Sequence, residues 1–355
     1  MRLKFPLARQ AGIAAALLLL SACTGTSSRL NAPAENSPAV GQEPLEVADG
    51  PDAGPDGAVY AVFTDPATMT VFESRDHERR ALFQIPAQEG AADETPVKRS
   101  PNQQYVAYIE GYDGRFGARA VIVGSDGQER VSRSGLFADL TWTPDSQHLI
   151  LLERTDASNP ETAPAKLVIL RPSGDETVTE LTIPVKRLLG FTPDPPALYA
   201  VRAAEPGNPH GEVLLQIQPE TGEVTELIGG PKDGRFQLLV GEELGTVVAY
   251  VREMPPIWEI RISRPFGGDT LVLAQSKSDP VKYAISPDVS SAAFVNDEGL
   301  WVVTGSRRTP VQVLGPFDRT WHLKGVEPDG SAWMFHPRYG YVLLTPGKGL
   351  PSLAP

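Results

Sequence analysis

Five histidines are spread along the chain, His77, His148, His210, His322 and His336, and no two share the close spacing that sets metal ligands side by side. Each reads as a surface or packing residue. The sequence also lacks a G-x-S-x-G elbow, an H-E-x-x-H pair, a phosphate-cradling glycine loop and an EF-hand loop. No metal, no cofactor and no catalytic residue is therefore expected. Acidic pairs such as Asp175-Glu176 and Glu242-Glu243 fall in turn-like stretches, where solvated charge explains them. Arginine makes the one pattern that suggests binding chemistry. Arg154, Arg202 and Arg252 end three successive apolar stretches at nearly the same register. The connection of the preceding repeat holds Tyr112, Arg115 and Phe116. Together these residues would make a basic, partly aromatic arc suited to an anionic or carboxylate-bearing partner, because a guanidinium grips such groups bidentately.

An arc needs a scaffold that repeats, and the sequence supplies one. Proline followed by Asp or Asn recurs at Pro55, Pro101, Pro144, Pro193, Pro287 and Pro328, 41 to 49 residues apart except for one interval of 94. The doubled interval predicts a degraded repeat, with Glu243 in the proline position ahead of Val247–Val251. Proline presets φ for a tight turn, and the Asx side chain can accept from a turn amide. A short apolar strand follows each anchor, for example Tyr105–Ile109 and Ala332–Phe335. Alternating strands around polar turns come next, as in Ala120–Val123 before Gly124-Ser125-Asp126-Gly127. No window sustains a helical period. Four short strands per unit of about 45 residues predict an all-β protein, a β-propeller of seven four-stranded blades, with six or eight as the alternatives. Trp142, Trp258, Trp301, Trp321 and Trp333 are expected to fill wedges between or within blades.

The anchors Ser286-Pro287-Asp288, Thr143-Pro144-Asp145 and Glu327-Pro328-Asp329-Gly330 resemble the Ser-Pro-Asp-Gly motif of TolB-like, WD40-like (PD40) propeller repeats. The resemblance spans residues 55–355 and implies architecture; such propellers host binding platforms and enzymes alike. The fourth letter is glycine only at Gly57 and Gly330.

Ahead of the repeats stands a basic start (Arg2, Lys4, Arg9), an apolar run over 14–20, and Leu20-Ser21-Ala22-Cys23. This is the order of a secretory signal, and the last four residues resemble the bacterial lipobox. Residues 1–22 then read as the signal peptide and Cys23 as the site of lipid attachment. Residues 23–54 read as a disordered tether, poor in large apolar groups, and 55–355 as the propeller. Thr24 after the cysteine resembles cargo for the outer membrane, so the expected place is outside the cytoplasm, on the outer membrane or cell surface. Without residues 1–22 the chain carries 29 Lys plus Arg against 44 Asp plus Glu. Such acidity excludes a nucleic-acid binder and a polybasic membrane module, and the only cysteine is committed to lipid. The functional expectation is a monomeric, non-enzymatic platform for an envelope protein or peptide. The alternative is a polysaccharide-binding or polysaccharide-cleaving propeller with its site at the central channel.

Overall fold

The computed structural model describes residues 54–347 apart from 66, 77, 88–94, 160–161, 194–195, 206–207, 209, 242–244, 306 and 317–319. The signal segment, Cys23, the tether up to residue 53, His77, Asp194, Glu243 and residues 348–355 lie outside the described residues.

Every regular element among the described residues is a β-strand, and consecutive strands pair antiparallel. They form blade 1 (59–86), blade 2 (97–134), blade 3 (137–180), blade 4 (187–230), blade 5 (233–276), blade 6 (282–314) and blade 7 (322–344). Blades 2 and 3 share one 14-residue strand, Glu129–Trp142. Its first half is the outermost strand of blade 2, and after Gly135 its second half becomes the innermost strand of blade 3. In blades 1 and 7 the described residues contribute three strands each.

The strands are apolar on both faces because each blade is covered on both sides, and successive residues point to opposite neighbours. In blade 2, Val106 and Tyr108 pack with Met69 and Val71 of blade 1. The alternate residues Ala107 and Ile109 pack with Phe137, Leu149 and Leu151 of blade 3. Blades 3 and 4 meet through Ile150, Leu167, Leu198 and Leu215, and blades 4 and 5 through Tyr199, Leu214, Phe236 and Tyr250. Blades 5 and 6 meet through Val251, Ile260, Tyr283 and Phe294, and blades 6 and 7 through Ala293, Val302, Met334 and Val342. A seventh cluster joins Trp333, Phe335 and Tyr341 of blade 7 to Tyr60, Val62 and Phe72 of blade 1, closing the ring. Seven interfaces require seven blades. Alanines at 61, 107, 200, 249 and 293 recur at the same register of the second strands, as the taper toward the axis demands.

The anchors owe their recurrence to hydrogen bonding. The hydroxyls of Ser100, Thr143 and Ser286 donate to Asn102 Oδ1 (2.7 Å), Asp145 Oδ1 (2.6 Å) and Asp288 Oδ1 (2.6 Å). The same hydroxyls accept from the amides of Tyr105 (3.0 Å), His148 (3.1 Å) and Ser291 (2.9 Å), fixing the start of each second strand. The fourth anchor residue must adopt positive φ, +78° at Gly57 and +87° at Gly330, yet Gln103, Ser146 and Val289 sit there at +60° to +63°. A left-handed non-glycine residue costs about 1–2 kcal/mol, whereas glycine adds about 0.5–1 kcal/mol of chain entropy to the unfolded state. Gln103 is exposed and its side chain has no hydrogen bond among the described residues. Gln103→Gly is therefore expected to raise the melting temperature by about 1–2 °C, measured by differential scanning calorimetry. A lower melting temperature would contradict this reading of the turn.

Candidate functional site

In an up-and-down blade the first strand starts on the face where the second and third strands are connected, so both can shape the mouth of the central channel. On that face lies a concavity of about 690 Å³. Its wall takes Lys98, Lys282 and Lys324 from first strands, Lys186 and Arg187 from the start of blade 4, Arg154 from the end of a second strand, and Arg115 from a second-to-third connection. Asp139 is the one carboxylate among the described lining residues. Tyr60, Tyr112, Phe335 and Tyr341 give it an aromatic wall.

Several of these charges have identifiable partners. Arg154 is only 8% exposed, donating through Nη1 to Val185 O and through Nη2 to Lys186 O (2.6 Å). These carbonyls lie just ahead of blade 4, so Arg154 staples the entry of one blade to the rim of the one before it. Lys186 Nζ and Arg187 Nη2 both reach Glu212, at 3.1 Å each, and Arg187 also donates to Phe236 O (2.8 Å). Glu212 is buried and accepts from the Phe236 amide as well (3.2 Å). Burial pushes its carboxyl up, but Arg187, Lys186 and the amide outweigh that and hold it below the usual glutamate value. Asp139 accepts from the amides of Leu188 (2.9 Å) and Leu140 (2.8 Å), which orients it as a structural acceptor. Across the mouth Lys282 Nζ lies 2.6 Å from His322 Nδ1, and Lys324 Nζ lies 5.4 Å from the Phe335 ring centre. Beside them Trp321, His336 and Tyr339 cluster with ring centres 4.6 to 6.4 Å apart.

Chemically, this arrangement can bind anionic groups. It offers several ammonium and guanidinium groups and apolar ring faces around one space. Glycoside cleavage by a carboxylate pair would need a second acid across from Asp139, and the described lining provides none. Among the described residues no group of three or more His, Cys, Asp or Glu is placed to hold a metal ion.

The six arginine and aromatic residues singled out by sequence separate into two sets. Tyr112, Arg115 and Arg154 line the mouth; Phe116, Arg202 and Arg252 do not. Arg202 Nε pairs with Glu226 (2.7 Å) and its Nη1 donates to Ala203 O (2.7 Å). Arg252 Nη1 faces Asp233 at 3.6 Å, and burial raises the carboxyl of Asp233 despite that neighbour. Of Arg154, Arg202 and Arg252, Arg154 is thus the one that joins the cations lining the channel mouth. Sequence reasoning missed Lys98, Lys186, Arg187, Lys282 and Lys324. A signal was present, since a cation stands three to seven residues ahead of Pro101, Pro193, Pro287 and Pro328.

No known protein family and no curated protein matches the sequence. Solved structures do match. An oligogalacturonate lyase in complex with manganese aligns with a TM-score of 0.56 at 14% identity, over 84% of this chain and 87% of that one. The β-propeller domain of Cps50 (Swd1) from Myceliophteria thermophila aligns with a TM-score of 0.54 at 11% identity, over 82% and 97%. TolB from Acinetobacter baumannii aligns with a TM-score of 0.46 at 15% identity; 71% of this chain is covered but only 62% of TolB, less than two thirds of its length. Likeness at these identities concerns the fold alone, and the match to the Cps50 (Swd1) propeller domain together with the seven blade interfaces makes this chain a β-propeller.

Proposed function

We propose that the protein is a lipid-anchored, extracytoplasmic propeller acting as a non-enzymatic binding platform that engages an envelope partner at the basic channel mouth. One observation carries the reading. Seven basic side chains from five blades converge on a single concavity, in a chain whose formal net charge is −12. A positive concavity on an acidic body focuses potential and selects its partner by charge.

The test combines labelling with purification. The wild type is expected to incorporate radiolabelled palmitate and to need detergent for release from membranes, whereas Cys23→Ser should do neither. The solubilised wild type should also retain a stoichiometric partner. An unlabelled, freely soluble wild type would refute the anchor. A solitary protein that shortens or binds a polysaccharide would refute the platform and favour the second reading, to which the basic mouth also lends support.

A further inference from the structure

We infer that the occupant of the mouth is an acidic peptide segment, rich in Asp or Glu, that enters the channel end-on. This rests on the platform reading above and adds the chemistry of the ligand. Three features point to it. The lining is cationic to the near exclusion of acid, with Asp139 already committed to the Leu188 and Leu140 amides. The charges also differ in exposure. Lys282, Lys324 and Arg115 are exposed at the rim, while Arg154 is 8% exposed and Arg187 is half-buried, tied down by carbonyl and carboxylate groups. A ligand would thus meet exposed cations and firmly held guanidinium groups within one concavity. Finally, the cations surround the axis on blades 2, 3, 4, 6 and 7 and do not line up across the face.

The radial layout chooses between peptide and polysaccharide. A uronate polymer carries its carboxylates along a linear ribbon and fits a cleft open at both ends. An extended peptide throws successive side chains to opposite sides, so consecutive carboxylates reach opposite walls of a bowl. The aromatic wall of Tyr60, Tyr112, Phe335 and Tyr341 suits the methylene groups and backbone planes between those carboxylates. Lysine at the rim adapts to such a ligand, since an ammonium on a four-carbon stem needs no fixed fork geometry.

The experiment measures fluorescence anisotropy of labelled hexaglutamate with the detergent-solubilised full chain, beside labelled hexagalacturonate of equal charge. Lys98→Gln, Lys282→Gln and Lys324→Gln are combined in one variant. A control variant combines Arg75→Gln, Arg80→Gln and Arg171→Gln, the same loss of charge outside the mouth. Hexaglutamate should bind the wild type, weaken about tenfold or more in the mouth variant, change less than about twofold in the control, and weaken with added salt. Melting temperatures of both variants verify that they fold. Equal weakening in both variants would mean general electrostatic attraction and would overturn the assignment. Tighter binding of hexagalacturonate would overturn it in favour of an acidic glycan. If the wild type and the mouth variant retain the same envelope partner equally and hexaglutamate binds neither, the acidic-peptide proposal and the mouth as docking site both fall, while the platform reading stands with its partner elsewhere on the propeller.

Discussion

Glu212→Ala is expected to destabilise the protein by about 2–4 kcal/mol, the cost of leaving cations and a buried amide without their shared acceptor. The Glu212 carboxylate begins the third strand of blade 4, is 3% exposed, and joins Lys186, Arg187 and the Phe236 amide of blade 5. It therefore fastens one blade to the next at the level of the channel. Glu212→Gln keeps an acceptor but loses the charge, and should cost roughly half as much. Urea titrations of the three proteins measure the order. Equal stability of all three would show that the pairings contribute nothing net.

The same carboxylate makes stability depend on pH with a defined sign. Its folded pKa lies below its unfolded one, because Arg187, Lys186 and the Phe236 amide outweigh burial. Its contribution is complete above the unfolded value near about 4.3 and is lost as pH falls through the folded value. The wild type should consequently lose melting temperature below about pH 4.5 faster than Glu212→Gln does. At neutral pH the two consequences of Glu212→Gln have opposite signs. Removing this negative charge lowers stability but leaves Lys186 and Arg187 with more positive potential toward the mouth, so hexaglutamate should bind more tightly.

Most of the scaffold is legible in sequence because its cause is local. Ser286-Pro287-Asp288 announces a blade by satisfying its own turn: hydroxyl to carboxylate, amide to hydroxyl, within six residues. Apolar alternation around Ala107 and Ile109 shows that both faces are covered without saying by what. The site is less legible because its cause is distant. Arg154 ends a strand where a solvated loop was expected, yet the chain returns 31 residues later and places the Val185 carbonyl against it. Arg202 has the same local signature but meets Glu226. Equivalent register gave equivalent positions on the blades, and different neighbours gave those positions different work. Lys98, Lys282 and Lys324 look like ordinary strand-flanking lysines until ring closure brings their blades to one axis.

Ring closure itself should be the weakest joint, and Tyr341→Ala is expected to open it at a cost of about 3–5 kcal/mol. The seam joins two stretches of chain near opposite ends of the propeller, so its contacts must offset the closure entropy of the whole ring. Among the described residues no strand crosses it; the main-chain link is the Phe63 amide donating to Pro337 O at 3.0 Å. Side chains supply the remainder. The Tyr341 ring meets Tyr60 edge-on at 4.8 Å, Phe335 at 5.1 Å and Trp333 at 6.2 Å, and it is 7% exposed. The backbone at Gly54 lies so close that a Cβ there would come within 2.6 Å of the Tyr341 ring. By contrast, blades 2 and 3 are bound covalently through the shared strand Glu129–Trp142. Loss of the Tyr341 ring should therefore act locally before it acts globally. Hydrogen exchange should accelerate first in Val59–Asp65 and Ala332–His336, while Leu149–Arg154 stays protected. Uniform acceleration through all seven blades would instead show a ring that opens as one cooperative unit, with no preferred seam.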